Sequence, residues 1–398
     1  MKLIRNEHPQ HNTSLDAADA DTLSIAAAHQ VENFLVRRTN YEPTPLHRLN
    51  NLAVELGVGD ILIKDEGLRL GLGSFKALGG SYAVIRLVLE AASRCLGRPV
   101  GINELNSTDV RETANRMTVA CATDGNHGRS VAHGAQLAGT KAVIFVHSGV
   151  SAERVAAIAG YGAEIIRVDG NYDDSVSEAS RICSERDWIV VSDTSWPGYE
   201  RIPGLVMQGY TAIISEALRQ MPDPPTHLFI QAGVGGVAAA LAGHFAIVLG
   251  KERPTVVVVE PDRAACVYET ARAGHPVKID QREPTVMAML ECYEPSLVAW
   301  RILTRVADAF MTIEESDAID VMKRLAYPAF GDPPIVAGES GGVGLAGLIR
   351  IARNNEARAK IGLSGNSRIF VINTEGATDR ELYLRLTGLA PDHVGKVA

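Results

Sequence analysis

The stretch TVACATDGNHGRSVAHGAQLAG, Thr118 to Gly139, decides the fold class. Its opening residues form a short β-rich run without polar alternation, as in a strand buried on both faces. The loop TDGNHG then crowds Asp124, Gly125, Asn126, His127 and Gly128 together, and Asp, Gly and Asn are ordinary turn residues. From Arg129 the run is helix-like. The chain repeats this rhythm. AVIFVH (142–147) leads into SGVSAERVAAIAGYG, where Ser151 can cap a helix and Gly160 and Gly162 can end it. EIIRVD (164–169) leads into DDSVSEASRICSERD, and WIVVSD (188–193) closes this group. Further on, HLFIQAG (227–233) precedes VGGVAAALAGHFAIVLG, followed by TVVVVEP (255–261) and RIFVINTEG (368–376). The early run DILIKDE (60–66) is of the same type.

Apolar strands alternating with helices predict an α/β protein, with two lobes that are each an open, mostly parallel sheet carrying helices on both faces. The Pro- and Gly-rich stretch SWPGYERIPG (195–204) marks a break. Residues 82–200 are expected to form a small α/β domain. Residues 1–81 and 201–398 are expected to form the large one, because an isolated strand near Leu62 needs a sheet to join.

A chain of 398 residues with 46% hydrophobic residues is long enough for two cores and is not disordered. Its formal charge of −8 argues against a nucleic-acid surface and against an anionic membrane. The five scattered cysteines read as reduced and intracellular. The first residues have no apolar signal region, and VAAALAGHFAIVLG is too short to span a bilayer. A cytoplasmic protein is expected.

In open parallel sheets, ligands sit beyond the carboxyl ends of the strands. That rule selects TDGNHG, DTSWPGYE, AGVGG and TEGATD. In QAGVGGVAAALAG, Gly233, Gly235 and Gly236 open a helix and let backbone N–H groups approach an anion. The run also matches G-x-G-x-x-A, with Ala238 last, and Glu260 ends the next strand as a ribose-binding acid would. A dinucleotide site is therefore one reading, and an ordinary strand–helix turn is another. His127 has no helical His-x-x-x-His or Cys pair beside it, so no metal site is expected.

GLGSFKALGG (71–80) places Lys76 among glycines and small residues beside Phe75. Burial there would disfavour the ammonium form, and a neutral amine can form a Schiff base with a carbonyl. Neighbouring glycines would let a flat ring lie close, and a glycine loop elsewhere could hold a phosphate on the same cofactor. An aldehyde and a phosphate on a planar ring describe pyridoxal 5'-phosphate. A helix-start lysine with its head in water is the plainer alternative.

SFKALGG resembles the cofactor-lysine motif of the fold type II pyridoxal-phosphate enzymes, the tryptophan synthase β family. YEPTPLHRL (41–49) and DGNHG (124–128) resemble that family's opening segment and its S-G-N-H-G loop. More narrowly, the chain resembles the diaminopropionate ammonia-lyase branch from about residue 40 to 380. IKDE, TDGNHGR, AERV, NYDD, DTSWPGYE, QAGVGG, EPDRAAC, GESGGVGL and NTEGATD match in order.

The resemblance implies pyridoxal-phosphate-dependent α,β-elimination of D- and/or L-2,3-diaminopropionate to pyruvate and ammonia. Lys76 would carry the cofactor, Phe75 would lie beside it, and Asn126 would hydrogen-bond the ring oxygen. Gly233, Val234, Gly235 and Gly236 would cradle the phosphate, and Thr374 would set a neutral hydroxyl opposite the pyridine nitrogen. Asp124 and Asp193 fall on the two acidic positions of the ammonia-lyase branch, where dehydratases show Ser in place of Asp124. Lys76 and Asp124 would then serve opposite faces of the substrate. Two departures are the residues just before the lysine and Asn373 in NTEG. A homodimer acting in amino-acid degradation is implied, and so is an approach of Cys266 and Cys292 close enough for a reversible disulfide. The alternatives are a serine, threonine or hydroxyaspartate dehydratase of the same family and a dinucleotide-dependent oxidoreductase.

Overall fold

A computed structural model describes residues 1–38, 41–123, 125–170, 172–328 and 331–396. The strands in chain order are β1 (Lys2–Arg5), β2 (Leu46–Arg48), β3 (Asp60–Asp65), β4 (Thr118–Ala122), β5 (Lys141–His147), β6 (Glu164–Val168), β7 (Ile189–Val190), β8 (His227–Gln231), β9 (Thr255–Pro261), β10 (Ala309–Ile313) and β11 (Arg368–Asn373). The chain divides into two compact units. The larger holds residues 1–27, 43–74 and 211–398, and the smaller holds 28–42 and 75–210. The smaller unit thus takes in 28–42, 75–81 and 201–210, which the sequence reading assigned to the large domain.

The sheet of the larger unit has the order β1-β10-β9-β8-β11-β3-β2. Its inner pairs are parallel, and β1 and β2 are antiparallel edges. The early strand finds its expected partner here: Leu62 of β3 stands opposite Phe370 of β11. β8, β9 and β11 are apolar on both faces, and Val257, Val259, Ile369 and Val371 pack with Leu345, Leu348 and Ile349 of the helix Val343–Ala352. The sequence reading lacked β1, β2 and β10. AFMTI of β10 follows the apolar helix Leu297–Val306 almost directly, so periodicity alone does not separate it from a helical run.

The sheet of the smaller unit, β6-β5-β4-β7, is parallel throughout. Ser151 caps the helix Ala152–Ala159 by accepting the Arg154 N–H at 3.3 Å, and Gly162 turns the chain afterwards with φ +81°. β7 is shorter than WIVVSD suggests. The Tyr199 hydroxyl donates to the Val190 carbonyl at 2.7 Å and accepts the Ser192 N–H at 3.0 Å, using backbone groups that a longer strand would pair.

The helices Lys76–Leu96 and Asn126–Ala138 meet at backbone distance. A Cβ on Gly134 would lie 2.6 Å from Ser81 Cα, and one on Gly80 would lie 2.8 Å from Ser130 Oγ. The contact is fastened by the Ser81 N–H donating to Ser130 Oγ at 2.9 Å. Among the described residues, no helix is long and apolar enough to cross a membrane.

In the larger unit, Lys64, Glu66, Arg69 and Glu216 form a charge-balanced quartet whose side chains are all 0% exposed. Arg69 donates to both carboxylates at 2.7–2.8 Å, and Lys64 Nζ reaches Glu216 Oε2 and the Thr44 carbonyl at 2.8 and 2.7 Å. The quartet holds the segment Glu66–Gly71, in which Leu70 takes a left-handed φ of +53°. Removing one buried charge strands its partners. Glu216→Gln is therefore expected to cost about 3–5 kcal/mol, seen as a lower urea midpoint at unchanged slope.

Candidate active site

β4 and β7 are neighbours in one sheet, and β8 and β11 in the other. The four loops selected from sequence thus lie in pairs beyond the carboxyl ends of adjacent parallel strands.

In the smaller unit, Thr123 shapes the first loop. Its Oγ1 accepts the N–H groups of Gly125 and Gly128, each at 3.1 Å. A Cβ on Gly128 would stand 2.3 Å from Thr123 Cγ2, so only glycine fits there. Asn126 then opens the helix Asn126–Ala138, half-buried at its first position. Asp124 lies outside the described residues.

Lys76 is the first residue of its helix. Its Nζ is ion-paired with Asp193 Oδ2, and each side chain is 19% exposed. Nζ also lies 5.7 Å from the centroid of the Phe75 ring, which packs edge-on against Tyr210 at 4.9 Å. Burial works against the Asp193 charge, but the adjoining Lys76 ammonium and His127 hold the carboxyl well below the usual carboxylate range. Burial pushes the Tyr210 hydroxyl, the Cys121 thiol and the Tyr199 hydroxyl up, so all three stay neutral. His127 is buried, and burial pushes its imidazole down. Its Nε2 lies 2.8 Å from the Val191 carbonyl. A carbonyl can only accept, so Nε2 carries the proton. Nδ1 lies 3.9 Å from Asp193 Oδ2 and has no hydrogen-bond partner among the described residues.

The lysine environment differs from the sequence expectation in two ways. An adjacent carboxylate favours the ammonium form, where small neighbours alone would favour a neutral amine. The glycines after it serve packing: a Cβ on Gly79 would lie 2.6 Å from the Tyr210 ring.

In the larger unit, Gly233 and Val234 follow β8, and Gly236 opens the helix Gly236–Leu249. Gly235 has φ +94°, and a Cβ on Gly233 would stand 3.0 Å from Cys292 Sγ. This leaves a turn with Val234 as its one side chain at a helix N-terminus, whose first N–H groups have no partner within the helix. Thr374 directly follows β11 and is buried, and its Oγ1 accepts from Gln231 Nε2 at 2.8 Å.

Glu260 is not placed as a ribose ligand. Its carboxylate is fully buried and accepts the N–H groups of Val267 and Tyr268 at 2.8 and 2.6 Å, capping the helix Cys266–Ala273. That removes the acid on which the dinucleotide reading depended. Asn373 serves the interior, donating to Asp65 Oδ1 at 2.8 Å and to the Val336 carbonyl at 3.0 Å. Neither Cys266 nor Cys292 is in a disulfide among the described residues. Cys266 Sγ donates to the Gly233 carbonyl at 3.6 Å, so both sulfurs flank that glycine.

Sequence reading missed Thr123, Gln231 and Tyr199, and set His127 aside after considering only metal binding. The signal for Thr123 was a hydroxyl residue two places before a glycine at a strand end.

The family profile described as pyridoxal-phosphate dependent enzyme matches residues 38–375. The diaminopropionate ammonia-lyase of Escherichia coli (strain K12) is 38% identical over 379 residues, 94% of this chain and 94% of that one. The crystal structure of the selenomethionine-labelled holo enzyme from Escherichia coli aligns with a TM-score of 0.87 at 36% identity, covering 97% of this chain and 96% of that one. A second crystal structure of that enzyme, in complex with an aminoacrylate-PLP azomethine reaction intermediate, aligns with a TM-score of 0.86 over the same shares.

The Lys76–Asp193 pair has an acid signature. A carboxyl held low in the folded state adds stability that is present above its unfolded value and lost as pH falls through the folded one. Wild-type stability is expected to fall more steeply than that of Asp193→Asn below about pH 4, read from thermal melts at stepped pH.

Proposed function

We propose that this chain, which belongs to the pyridoxal-phosphate-dependent enzymes and within them to the diaminopropionate ammonia-lyases, converts 2,3-diaminopropionate and water into pyruvate and two molecules of ammonia. One observation carries the choice of substrate: Asp193 already grips a primary alkylammonium, that of Lys76. The β-ammonium of diaminopropionate is the same chemical group. A β-hydroxyl substrate brings no charge to this carboxylate. A charge-assisted hydrogen bond is worth about 1.5–3 kcal/mol, enough to favour the ammonium substrate roughly ten- to a hundredfold.

The residues present fit pyridoxal phosphate. The turn Gly233–Val234–Gly235–Gly236, with its left-handed Gly235 and helix N-terminus, suits a phosphate. Lys76 offers an amine for an aldehyde, Asn126 an amide for a ring oxygen, Phe75 an aromatic neighbour of the lysine, and Thr374 a neutral hydroxyl for a ring nitrogen. The bound cofactor supplies an electron sink for the pair left when the Cα proton is removed.

The chain's own groups supply the proton chemistry. Free amide ion is far too basic to leave, so the β-nitrogen departs protonated. Asp193, held charged, keeps it in that form. Lys76, once it has shed its extra proton, is the base for one enantiomer. Asp124 is assigned to the other enantiomer on resemblance. We place the enzyme in the cytoplasm as a homodimer serving amino-acid degradation.

The test is pyruvate release from D- and L-diaminopropionate, L-serine and L-threonine, by wild type and by Lys76→Ala. Both or one of the diaminopropionates should be far better substrates than the hydroxyamino acids, and Lys76→Ala should be folded and inactive. Faster release from serine or threonine would make the chain a dehydratase. Undiminished turnover by Lys76→Ala would remove Lys76 from the reaction.

A further inference from the structure

Gln231 is a polar residue at the end of an otherwise apolar strand. It closes β8, is buried, and stands two places before the glycine turn. Three carbonyls converge on its Nε2: that of Gly341 at 2.6 Å, that of Ser340 at 3.1 Å and that of Ile372 at 3.3 Å. A carbonyl can only accept, so the nitrogen of the amide, not its oxygen, faces them. Thr374 Oγ1 lies 2.8 Å from the same nitrogen. The orientation of the amide therefore fixes the sense of the threonine contact: Thr374 accepts there and cannot donate. The other end of the amide bears the cost, since Oε1 is buried and has no hydrogen-bond partner among the described residues. The stretch GESGGVGL (338–345) builds the arrangement. A Cβ on Gly341 would run into Asn373 Oδ1 and the Glu375 carbonyl, and one on Gly344 would stand 2.6 Å from the Phe229 carbonyl oxygen and 3.0 Å from Gln231 Oε1. Glycine at both places lets this stretch close on the amide.

We propose that Gln231 is a positioning residue, which sets the direction of the Thr374 hydroxyl and so biases the cofactor's ring nitrogen toward its unprotonated form. The proposal rests on the reading of Thr374 as the group opposite that nitrogen. A threonine oxygen has two lone pairs and one proton. Gln231 occupies one lone pair, and the proton has the Ser340 carbonyl at a long 3.4 Å. An unprotonated nitrogen is a better acceptor, and it draws that proton away at little cost. A protonated nitrogen would need the second lone pair, on an oxygen that already accepts from Gln231. A hydroxyl that accepts one hydrogen bond becomes a stronger donor and a weaker second acceptor. Both effects act in the same direction. Without the amide donor, both lone pairs of Thr374 are open and the bias is lost.

The test uses the full-length protein loaded with pyridoxal phosphate carrying ¹⁵N in its ring. The ¹⁵N shift reports protonation of that nitrogen directly and does not depend on turnover. In wild type at neutral pH it should be that of an unprotonated pyridine, and a pyridinium shift would overturn the proposal. Gln231→Met keeps the length of the side chain and removes its donors. As pH is lowered from alkaline to acid, its ring nitrogen should protonate about one pH unit earlier than that of wild type. A glutamine that only tied the strand ends together would, when lost, lower the melting temperature and the cofactor affinity without moving this midpoint, so an unmoved midpoint overturns the proposal. Should Gln231→Met fail to fold, Gln231→Glu is measured instead. Among three carbonyls its carboxyl must be protonated, and its single O–H goes to the Gly341 carbonyl, so the midpoint should rise in the same way and an unmoved one is equally fatal. Thr374→Asp tests the reading beneath the proposal, because a carboxylate opposite the nitrogen should protonate it at neutral pH. No protonation in Thr374→Asp would remove Thr374 from the nitrogen and overturn both. Protonation there, with an unmoved midpoint in the Gln231 variant, would overturn the role of Gln231 alone.

Discussion

The contact between the Lys76 ammonium and the Asp193 carboxylate is the constraint around which the smaller unit is arranged. Two opposite charges in a site with little water hold each other in the ionised form only while both are present. Tyr210, Cys121 and Tyr199 are neutral, so none offers a second charge. The lysine is set by the start of a long helix, and that helix is pinned against its neighbour by Ser81 and Ser130. The aspartate is set by the end of a very short edge strand, which the Tyr199 hydroxyl closes off.

The two units treat buried charge differently. The quartet of the larger unit is closed: each carboxylate meets cations and each cation meets carboxylates, with every side chain fully buried. Such a network, with every charge met by an opposite one, fixes shape. The Lys76–Asp193 cluster is open. Among the described residues, one imidazole nitrogen beside it has no hydrogen-bond partner, and the pair is partly exposed.

Much of this was legible in the sequence. The parallel strands could be read because TVACA, AVIFVH, HLFIQ and TVVVVEP are apolar without alternation and are followed by turn residues. The four loops followed from the rule about carboxyl ends, and the roles proposed for Lys76, Asn126, Thr374 and the glycine turn rest on the resemblance. The rest was hidden for physical reasons. Asp193 and Lys76 are far apart along the chain, and no pattern in either segment announces that they pair. The glycines after Lys76 looked like room for a ring, because a sequence does not distinguish space left for a ligand from space taken by Tyr210. β10 lacked turn signals of its own.

The turn after β8 shows why a short motif needs its surroundings before it can be assigned. G-x-G-x-x-A followed by an acid at the end of the next strand satisfies the pattern of a dinucleotide site. The pattern assumes that the acid is free to accept from a ribose. Glu260 has both oxygens engaged by the N–H groups of Val267 and Tyr268 and is fully buried. Its carboxyl is pushed well above the usual range by burial, despite those two donors. It is therefore spent as a helix cap. What remains of the motif is the backbone, and three glycines at a helix N-terminus recognise an anion without regard to what the anion is attached to. The discriminating group lies elsewhere, at Thr374. Gln231 Nε2 can only donate, and it donates to Thr374 Oγ1 at 2.8 Å and to the Gly341 carbonyl at 2.6 Å. The threonine oxygen is thus used as an acceptor, and its own proton has the Ser340 carbonyl at a long 3.4 Å. A hydroxyl held in that sense keeps one lone pair and can turn its weakly held proton to a better acceptor. Such a group would suit a ring nitrogen that stays unprotonated, which is the role proposed for Thr374 above.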